Sequence, residues 1–187
     1  MLVKVWRLWT VMFVALSMGL ALCHLLEMPA KMSYEGELWL TIAHTLYAKF
    51  GSFGAAFEIG ALFSSAALVF LVRKRGSSLA WSLLAAVLVA LAHLVFWIRV
   101  APVNAEVALM NPGALPPGWE ELRAQWEYGH AIRAALQIAA LASLTMSILV
   151  ETPAKLDSRE SPKTQPPAQS ARRVSAGSTL AARRAGR

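Results

Sequence analysis

Three histidines and one glutamate lie inside or at the edge of stretches that are otherwise apolar. These residues are His24, Glu58, His93 and His130. Imidazoles and carboxylates bind transition metals. An isolated charged side chain at the middle of a bilayer costs roughly 2.5 kcal/mol or more, so such residues need a partner or a function. Such a set is sufficient to hold one iron, copper or zinc ion. A single transition metal ion is therefore one expectation, and no cofactor at all is the other.

The segment around His130 carries further reactive groups at helical spacing. Trp126, His130 and Arg133 stand at i, i+4 and i+7 and share one helix face. Glu127 precedes His130 by three residues, which resembles the Glu-x-x-His element of di-iron bundles. Such bundles use two of these elements and this sequence has one, so a mononuclear site fits better than a di-iron centre.

A metal-free chemistry is the alternative for the same residues. His130 would act as a general base on an acidic phenol or C–H group, while Arg133 and Asn104 would stabilise the resulting anion. Glu127 would hold His130 or share its proton. The candidate catalytic set is His130, Arg133, Asn104 and Glu127. The residue types leave both chemistries open.

Four apolar stretches must position these residues. The chain has 187 residues, of which 57% are hydrophobic and 16% charged, with a mean hydropathy of +0.49. A hydrocarbon layer of about 30 Å requires about 20 apolar residues per helix. Stretches of that length cover residues 6–26, 53–72, 79–98 and 131–150. The sequence predicts an all-α integral membrane four-helix bundle over residues 1–152, with short helices over 37–50 and from Trp119 into the fourth span.

Small residues predict which face of the second span points into the bundle. Glu58 shares its helix face with Gly51, Gly54, Ala61 and Ser65. Small side chains at such spacing allow close helix contacts in membranes. We expect Glu58 to face the interior at a depth on the order of 10 Å, given a rise of about 1.5 Å per residue.

The distribution of Lys and Arg predicts the orientation. Lys4 and Arg7 precede the first span, residues 73–75 (Arg-Lys-Arg) join the second and third, and eight Lys or Arg follow the fourth. Short basic segments of this kind stay in the cytoplasm. We therefore expect a protein of the bacterial inner membrane, with both termini cytoplasmic and the polar groups toward the outer side.

The last 35 residues, 153–187, predict a disordered, basic cytoplasmic tail. They are rich in Pro, Ser and Ala and contain no aromatic residue. Such a tail would contact membrane lipid and not nucleic acid, because it lacks side chains on which bases stack. The single cysteine, Cys23, excludes an internal disulfide.

One motif covers the third loop and the start of the fourth span. It begins at Asn104 and, after a Pro-rich turn, continues through Trp119, Arg123, Trp126, Glu127, His130 and Arg133. This pattern resembles the signature of the anthrone-oxygenase-like family of small four-helix membrane proteins. The resemblance implies a membrane bundle and, for a few relatives, oxidation of a polycyclic aromatic anthrone to a quinone without an evident cofactor.

Two functions are consistent with these patterns. The first is an anthrone-oxygenase-like oxidoreductase acting on a hydrophobic small molecule, with Trp97, Trp126 and Arg123 as candidate substrate-binding residues. The second is a non-enzymatic membrane carrier, assembly factor or subunit. The sequence contains no phosphate-binding glycine loop, dinucleotide fingerprint or Ser/His/Asp set, which argues against nucleotide-dependent enzymes and serine hydrolases.

Overall fold

The computed structural model describes residues 1–152, and within them the regular secondary structure is all helical, with no β-strand. The helices are α1 Leu2–Ser33, α2 Gly36–Thr45, α3 Phe50–Val72, α4 Gly76–Val95, α5 Ala101–Val107 and α6 Trp119–Leu149. A π-helical turn, Phe96–Val100, joins α4 to α5. In this part of the chain α1, α3, Gly76–Val107 and α6 are long and apolar enough to cross a membrane. The predicted tail, 153–187, lies outside the described residues.

Two helix boundaries differ from the prediction. The first long helix continues past residue 26, through Pro29, to Ser33. Lys31 in this extension is buried and paired with a carboxylate of α6, so tertiary contacts hold the added turns. The short helix predicted over 37–50 ends at Thr45, after which the chain turns and buries Tyr47 before α3 begins.

The four long helices pack through small residues. Several alanines of α3, α4 and α6 are at most 2% exposed, and these are Ala61, Ala85, Ala92, Ala134 and Ala140. Side chains of this size let helix backbones approach closely. The core between the helices is completed by larger residues, including Val14, Leu68 and Leu144.

The predicted inward face of α3 is only partly correct. Glu58, Ala61 and Ser65 are buried, as the spacing of small residues predicts. Gly51 and Gly54 are not buried and instead border a cavity. The small residues of the first turns of α3 therefore leave open volume where a helix contact was expected.

The bundle has two ends of different construction. At the terminal end α1 begins, α6 ends and residues 73–75 connect α3 to α4. At the site end α2 and α5 close over the other ends of the long helices. An aromatic cluster that includes Trp39, Tyr47 and Trp126 fills this end.

A hydroxyl-rich network holds the terminal end together. Arg7 donates to the hydroxyl of Ser78 at 2.6 Å and lies 3.1 Å from a carboxylate oxygen of Glu151. The hydroxyl of Ser147 lies 3.0 Å from that of Ser78 and 2.8 Å from that of Ser82. These contacts join α1, α4 and α6 at this end.

Candidate functional site

A cavity of about 450 Å³ lies at the site end, between α1, α3, α4 and α6 and beneath α2 and α5. Most of its wall is apolar or aromatic. Eight of the predicted site residues line it, and these are His24, Glu58, His93, Trp97, Asn104, Trp126, His130 and Arg133. Two predicted site residues, Arg123 and Glu127, do not line it. The eight lining residues come from five different helices and the π-helical turn.

A buried ion pair forms one wall of the cavity. Arg133 Nη2 donates to Glu58 Oε1 at 2.6 Å, and the two side chains are only 9% and 6% exposed. The guanidinium also lies over the ring of Phe96, 5.0 Å from its centroid. The second carboxylate oxygen, Oε2, is 3.7 Å from His93 Nδ1, beyond normal hydrogen-bond distance. Glu58 therefore keeps one oxygen able to accept a proton or a hydrogen bond.

The proton position on His130 follows from its partner. Arg133 Nη1 lies 3.2 Å from His130 Nδ1, and a guanidinium can only donate. His130 Nδ1 must then be the acceptor, so in the neutral ring Nε2 carries the hydrogen. This assignment makes the predicted role of His130 as a general base unfavourable, because its lone pair already faces Arg133.

The same reasoning assigns His93. The indole N–H of Trp97 donates to His93 Nε2 at 3.0 Å, and an indole nitrogen cannot accept. His93 therefore carries its hydrogen on Nδ1, the atom directed toward Glu58 Oε2. Trp97 therefore orients His93 at the edge of the cavity, and its predicted contact with a substrate stays a prediction.

Glu127 and Lys31 form a second buried ion pair behind the cavity wall. Lys31 Nζ lies 2.8 Å from Glu127 Oε2, and the two side chains are 3% and 0% exposed. Glu127 was expected to hold His130, but its partner is Lys31. Lys31 also lies 3.2 Å from His24 Nδ1. The sequence contains a signal for this contact, because His24 and Lys31 are seven residues apart and share one face of α1.

Arg123 has a structural position. Its Nη1 donates to the backbone oxygens of Lys31 and Tyr34 at 3.2 and 2.6 Å, and its guanidinium lies over the ring of Trp119. Cationic groups stabilise the exposed carbonyls at a helix C-terminus. Arg123 therefore fixes the end of α1 and does not line the cavity, where a substrate-binding residue was expected.

Asn104 positions an aromatic wall of the cavity. Its side-chain oxygen accepts a hydrogen bond of 2.7 Å from the indole N–H of Trp126. Trp126 in turn packs edge-on against His24 and His130, with ring centroids 4.9 and 4.8 Å apart. Asn104 thus orients the tryptophan that holds both imidazoles.

Sequence patterns missed two lining residues, His44 and Tyr47. His44 donates from Nε2 to the backbone oxygen of Val107 at 2.8 Å, which ties α2 to α5. The Tyr47 hydroxyl donates to Glu27. Burial and the hydrogen bond to Glu27 raise the pKa of Tyr47, so its phenol stays protonated.

The predicted metal ligands meet at the cavity but do not form a metal centre. Within residues 1–152, no three His, Cys, Asp or Glu side chains are arranged to hold an ion. The Arg133 guanidinium lies between Glu58 and His130, within 2.6 and 3.2 Å of them. The positive charge of this guanidinium would repel a metal ion bound beside it, so Glu58 and His130 do not fit as ligands of one shared metal ion.

No protein-family model, no curated protein and no solved structure matches this chain. The resemblance to the anthrone-oxygenase-like family therefore stays a prediction. The function has to be inferred from the geometry of the cavity.

Proposed function

We propose that the chain is an integral membrane protein with four spans. In each long apolar helix only 22–39% of the most apolar window is buried inside the bundle. Large side chains such as Leu8, Phe63 and Phe70 are more than 60% exposed. An apolar surface of this extent is unfavourable in water and suits a hydrocarbon layer.

We further propose that the terminal end faces the cytoplasm and the cavity faces the outer side. The terminal end carries Lys4, Arg7 and the basic residues 73–75. Within residues 1–152, Glu151 is the single acidic residue at this end. Reporter fusions after Arg75 and after Glu151 are expected to report cytoplasm. A periplasmic signal at either position would contradict the orientation.

We propose that the cavity binds a hydrophobic aromatic molecule with an acidic C–H or O–H group and oxidises it, as an anthrone-oxygenase-like enzyme would. The observation that carries this proposal is the Glu58–Arg133 pair in the wall of an otherwise apolar and aromatic cavity. A carboxylate with a free oxygen can take a proton from such a ligand. A guanidinium beside it stabilises the resulting anion.

The overall reaction can be written in balance with molecular oxygen as the oxidant. Glu58 removes a proton from a ring CH2 next to the conjugated system, and the resulting carbanion gives its electrons to oxygen. The CH2 group and O2 become C=O and H2O. In this scheme Glu58 is the base, whereas sequence spacing alone favoured His130.

A non-enzymatic carrier for the same class of molecule is the second candidate. It is favoured by the position of the cavity, because lining residues of α3 such as Ala55 and Ile59 are also exposed on the surface of the bundle. A ligand dissolved in lipid could reach the cavity from that side. Such a carrier would bind the ligand without consuming oxygen.

The experiment is oxygen uptake by purified protein in detergent with anthrone as substrate, beside metal analysis of the same sample. Glu58→Gln is expected to lower the turnover rate by about 10²-fold or more, the usual contribution of a positioned base. Glu151→Gln, the same change at the terminal end, is the matched control and is expected to keep full turnover.

Three outcomes would contradict the enzymatic proposal or part of it. Binding of anthrone without oxygen uptake would favour the carrier. Turnover that survives Glu58→Gln and is lost in His130→Ala would return the base to His130. Stoichiometric iron or copper that is lost in His93→Ala would restore the metal chemistry.

A further inference from the structure

Two imidazole rings lie face to face in the wall of the cavity. The ring centroids of His24 and His130 are 3.9 Å apart, with an angle of 18° between the ring planes. Tyr47, Phe50 and Trp126 surround His24 with their own rings at 4.5 to 5.5 Å. The pair is therefore held in one orientation by packing on several sides.

A side chain that can only donate lies against each ring. Lys31 Nζ is 3.2 Å from His24 Nδ1, and Arg133 Nη1 is 3.2 Å from His130 Nδ1. Neither an ammonium nor a guanidinium has a lone pair to accept a hydrogen bond. Both Nδ1 atoms must accept, so both neutral rings carry their hydrogen on Nε2.

Both Nε2 groups border the cavity. His24 and His130 are 4% and 6% exposed and line the cavity wall. In the described part of the chain neither Nε2 has a hydrogen-bond partner. Both Nε2 atoms nevertheless keep some accessible surface, because neither belongs to the fully buried polar atoms without a partner. A neutral N–H group without a partner at the edge of a cavity is a hydrogen-bond donor that a ligand can satisfy.

Cations lie behind the two rings. Lys31 and Arg133 are each also paired with a carboxylate, Glu127 at 2.8 Å and Glu58 at 2.6 Å. The ammonium and guanidinium polarise the rings that they contact. Polarised N–H groups favour an oxygen that carries partial or full negative charge.

We propose that His24 and His130 form a two-donor subsite that binds a carbonyl or phenolate oxygen of the ligand, with Lys31 and Arg133 fixing both tautomers. The inference rests on the proposed binding of an aromatic molecule in the cavity. In the proposed oxidation, negative charge that develops on this oxygen as Glu58 removes a proton would be stabilised by both donors. His24 thus contacts the ligand, and Lys31 is a positioning residue.

The test compares two planar probes of similar size, anthraquinone with carbonyl oxygens and anthracene without them. Equilibrium binding of each is measured on the full chain in lipid nanodiscs for the wild type, His24→Phe and His130→Phe. Phenylalanine keeps the ring contact and removes the donor. Phe50→Leu is the matched control, because it alters the aromatic wall beside His24 and removes no donor.

We expect each His→Phe variant to weaken anthraquinone binding about 3- to 10-fold, the range for one lost hydrogen bond, and to leave anthracene binding unchanged. Phe50→Leu is expected to weaken both probes alike. In the wild type the infrared carbonyl band of bound anthraquinone is expected at lower frequency than in an apolar solvent. This second measurement needs no variant to fold.

The possible results separate this inference from the proposed function. Equal losses for the two probes, or an unshifted carbonyl band, would overturn the donor subsite while leaving the cavity as an aromatic site. If neither probe binds the wild type, both the subsite and the proposed ligand class are wrong.

Discussion

The two ends of the bundle both bury an arginine next to a glutamate, but they use the pair differently. At the terminal end Arg7 lies 3.1 Å from Glu151, whose side chain is 25% exposed and also contacts Arg75 at 2.9 Å. At the site end Arg133 lies 2.6 Å from Glu58, and both side chains are at most 9% exposed. One pair reaches solvent and hydroxyl groups, and the other borders a cavity.

This difference shows what distinguishes a site from a structural network in such a bundle. Buried polar groups occur at both ends, so burial alone does not distinguish a binding site from a structural network. At the terminal end Ser78, Ser82 and Ser147 supply hydrogen bonds within the protein. At the site end N–H groups of His24 and His130 and one oxygen of Glu58 border open volume. Hydrogen-bonding capacity that a ligand can satisfy is the more informative signal.

The largest expected effect comes from removing the arginine of each pair. Arg133→Met leaves the Glu58 carboxylate buried without its partner and is expected to lower the free energy of unfolding by about 3–5 kcal/mol. Arg7→Met is expected to cost about 1 kcal/mol, because Glu151 keeps Arg75 and reaches solvent. Both are measured by reversible unfolding in mixed micelles, followed by circular dichroism.

The double variant Glu58→Leu, Arg133→Met is the internal control for this comparison. Replacing a buried ion pair with apolar residues is often close to neutral, so most of the stability is expected to return. Equal losses for Arg133→Met and Arg7→Met would mean that the two pairs do not differ in burial, and the contrast between the ends would fail.

The long helices and the location of the polar residues could be predicted from the sequence, because both depend on local hydropathy and on helical spacing. Four stretches of about 20 apolar residues specify four long helices in any arrangement. The spacing of Trp126, His130 and Arg133 specifies one face of α6 whatever packs against it. These three side chains line the same cavity, as their spacing along one helix predicts.

Pairing partners could not be predicted, because they depend on where helices meet. The apolar stretch that predicts the first span ends at residue 26, so Lys31 lay outside it and was not considered as a partner of Glu127. Its contact with Glu127 joins α1 to α6 across 96 positions in sequence. The cavity beside Gly51 could not be predicted from the sequence either, because a small residue is compatible with both a close helix contact and a cavity wall.

A smaller effect is expected from neutralising the carboxylate behind the cavity. Glu127→Gln keeps an oxygen next to Lys31 but removes the opposite charge, so unfolding should become easier by about 1–3 kcal/mol. Glu27→Gln is the control, because that side chain is 38% exposed and 3.9 Å from Lys31, and a change of about 0.5 kcal/mol or less is expected. Unfolding in mixed micelles measures both variants. A larger loss for Glu27→Gln would show that Lys31 depends on the exposed carboxylate.

At the terminal end a single hydroxyl is expected to contribute less. Ser147→Ala removes hydrogen bonds to Ser78 and Ser82 and should cost about 1 kcal/mol of unfolding free energy. Binding of anthraquinone should not change, since this network is at the opposite end from the cavity. Weaker ligand binding in Ser147→Ala would show that the two ends are coupled and not independent.

The smallest expected effect is the response of the terminal end to acid. Burial alone would raise the pKa of Glu151, but hydrogen bonds from Arg7, Ser78 and Arg75 outweigh it and lower the pKa below its ordinary value of 4.5. Because the folded-state pKa is depressed, the carboxylate stabilises the fold fully above about pH 4.5, and this contribution is lost as the pH falls through the folded-state value.

The measurement is the melting temperature in detergent from pH 6 down to about pH 3, the range over which an unperturbed carboxyl group titrates. The melting temperature of the wild type should fall further across this range than that of Glu151→Gln, because the variant has no carboxylate charge to lose. Glu120→Gln is the control, because Glu120 is exposed at the start of α6, and its acid response should match the wild type. If Glu151→Gln is as sensitive to acid as the wild type, the Arg7–Glu151 contact contributes nothing to stability, and the terminal end is held by its serines alone.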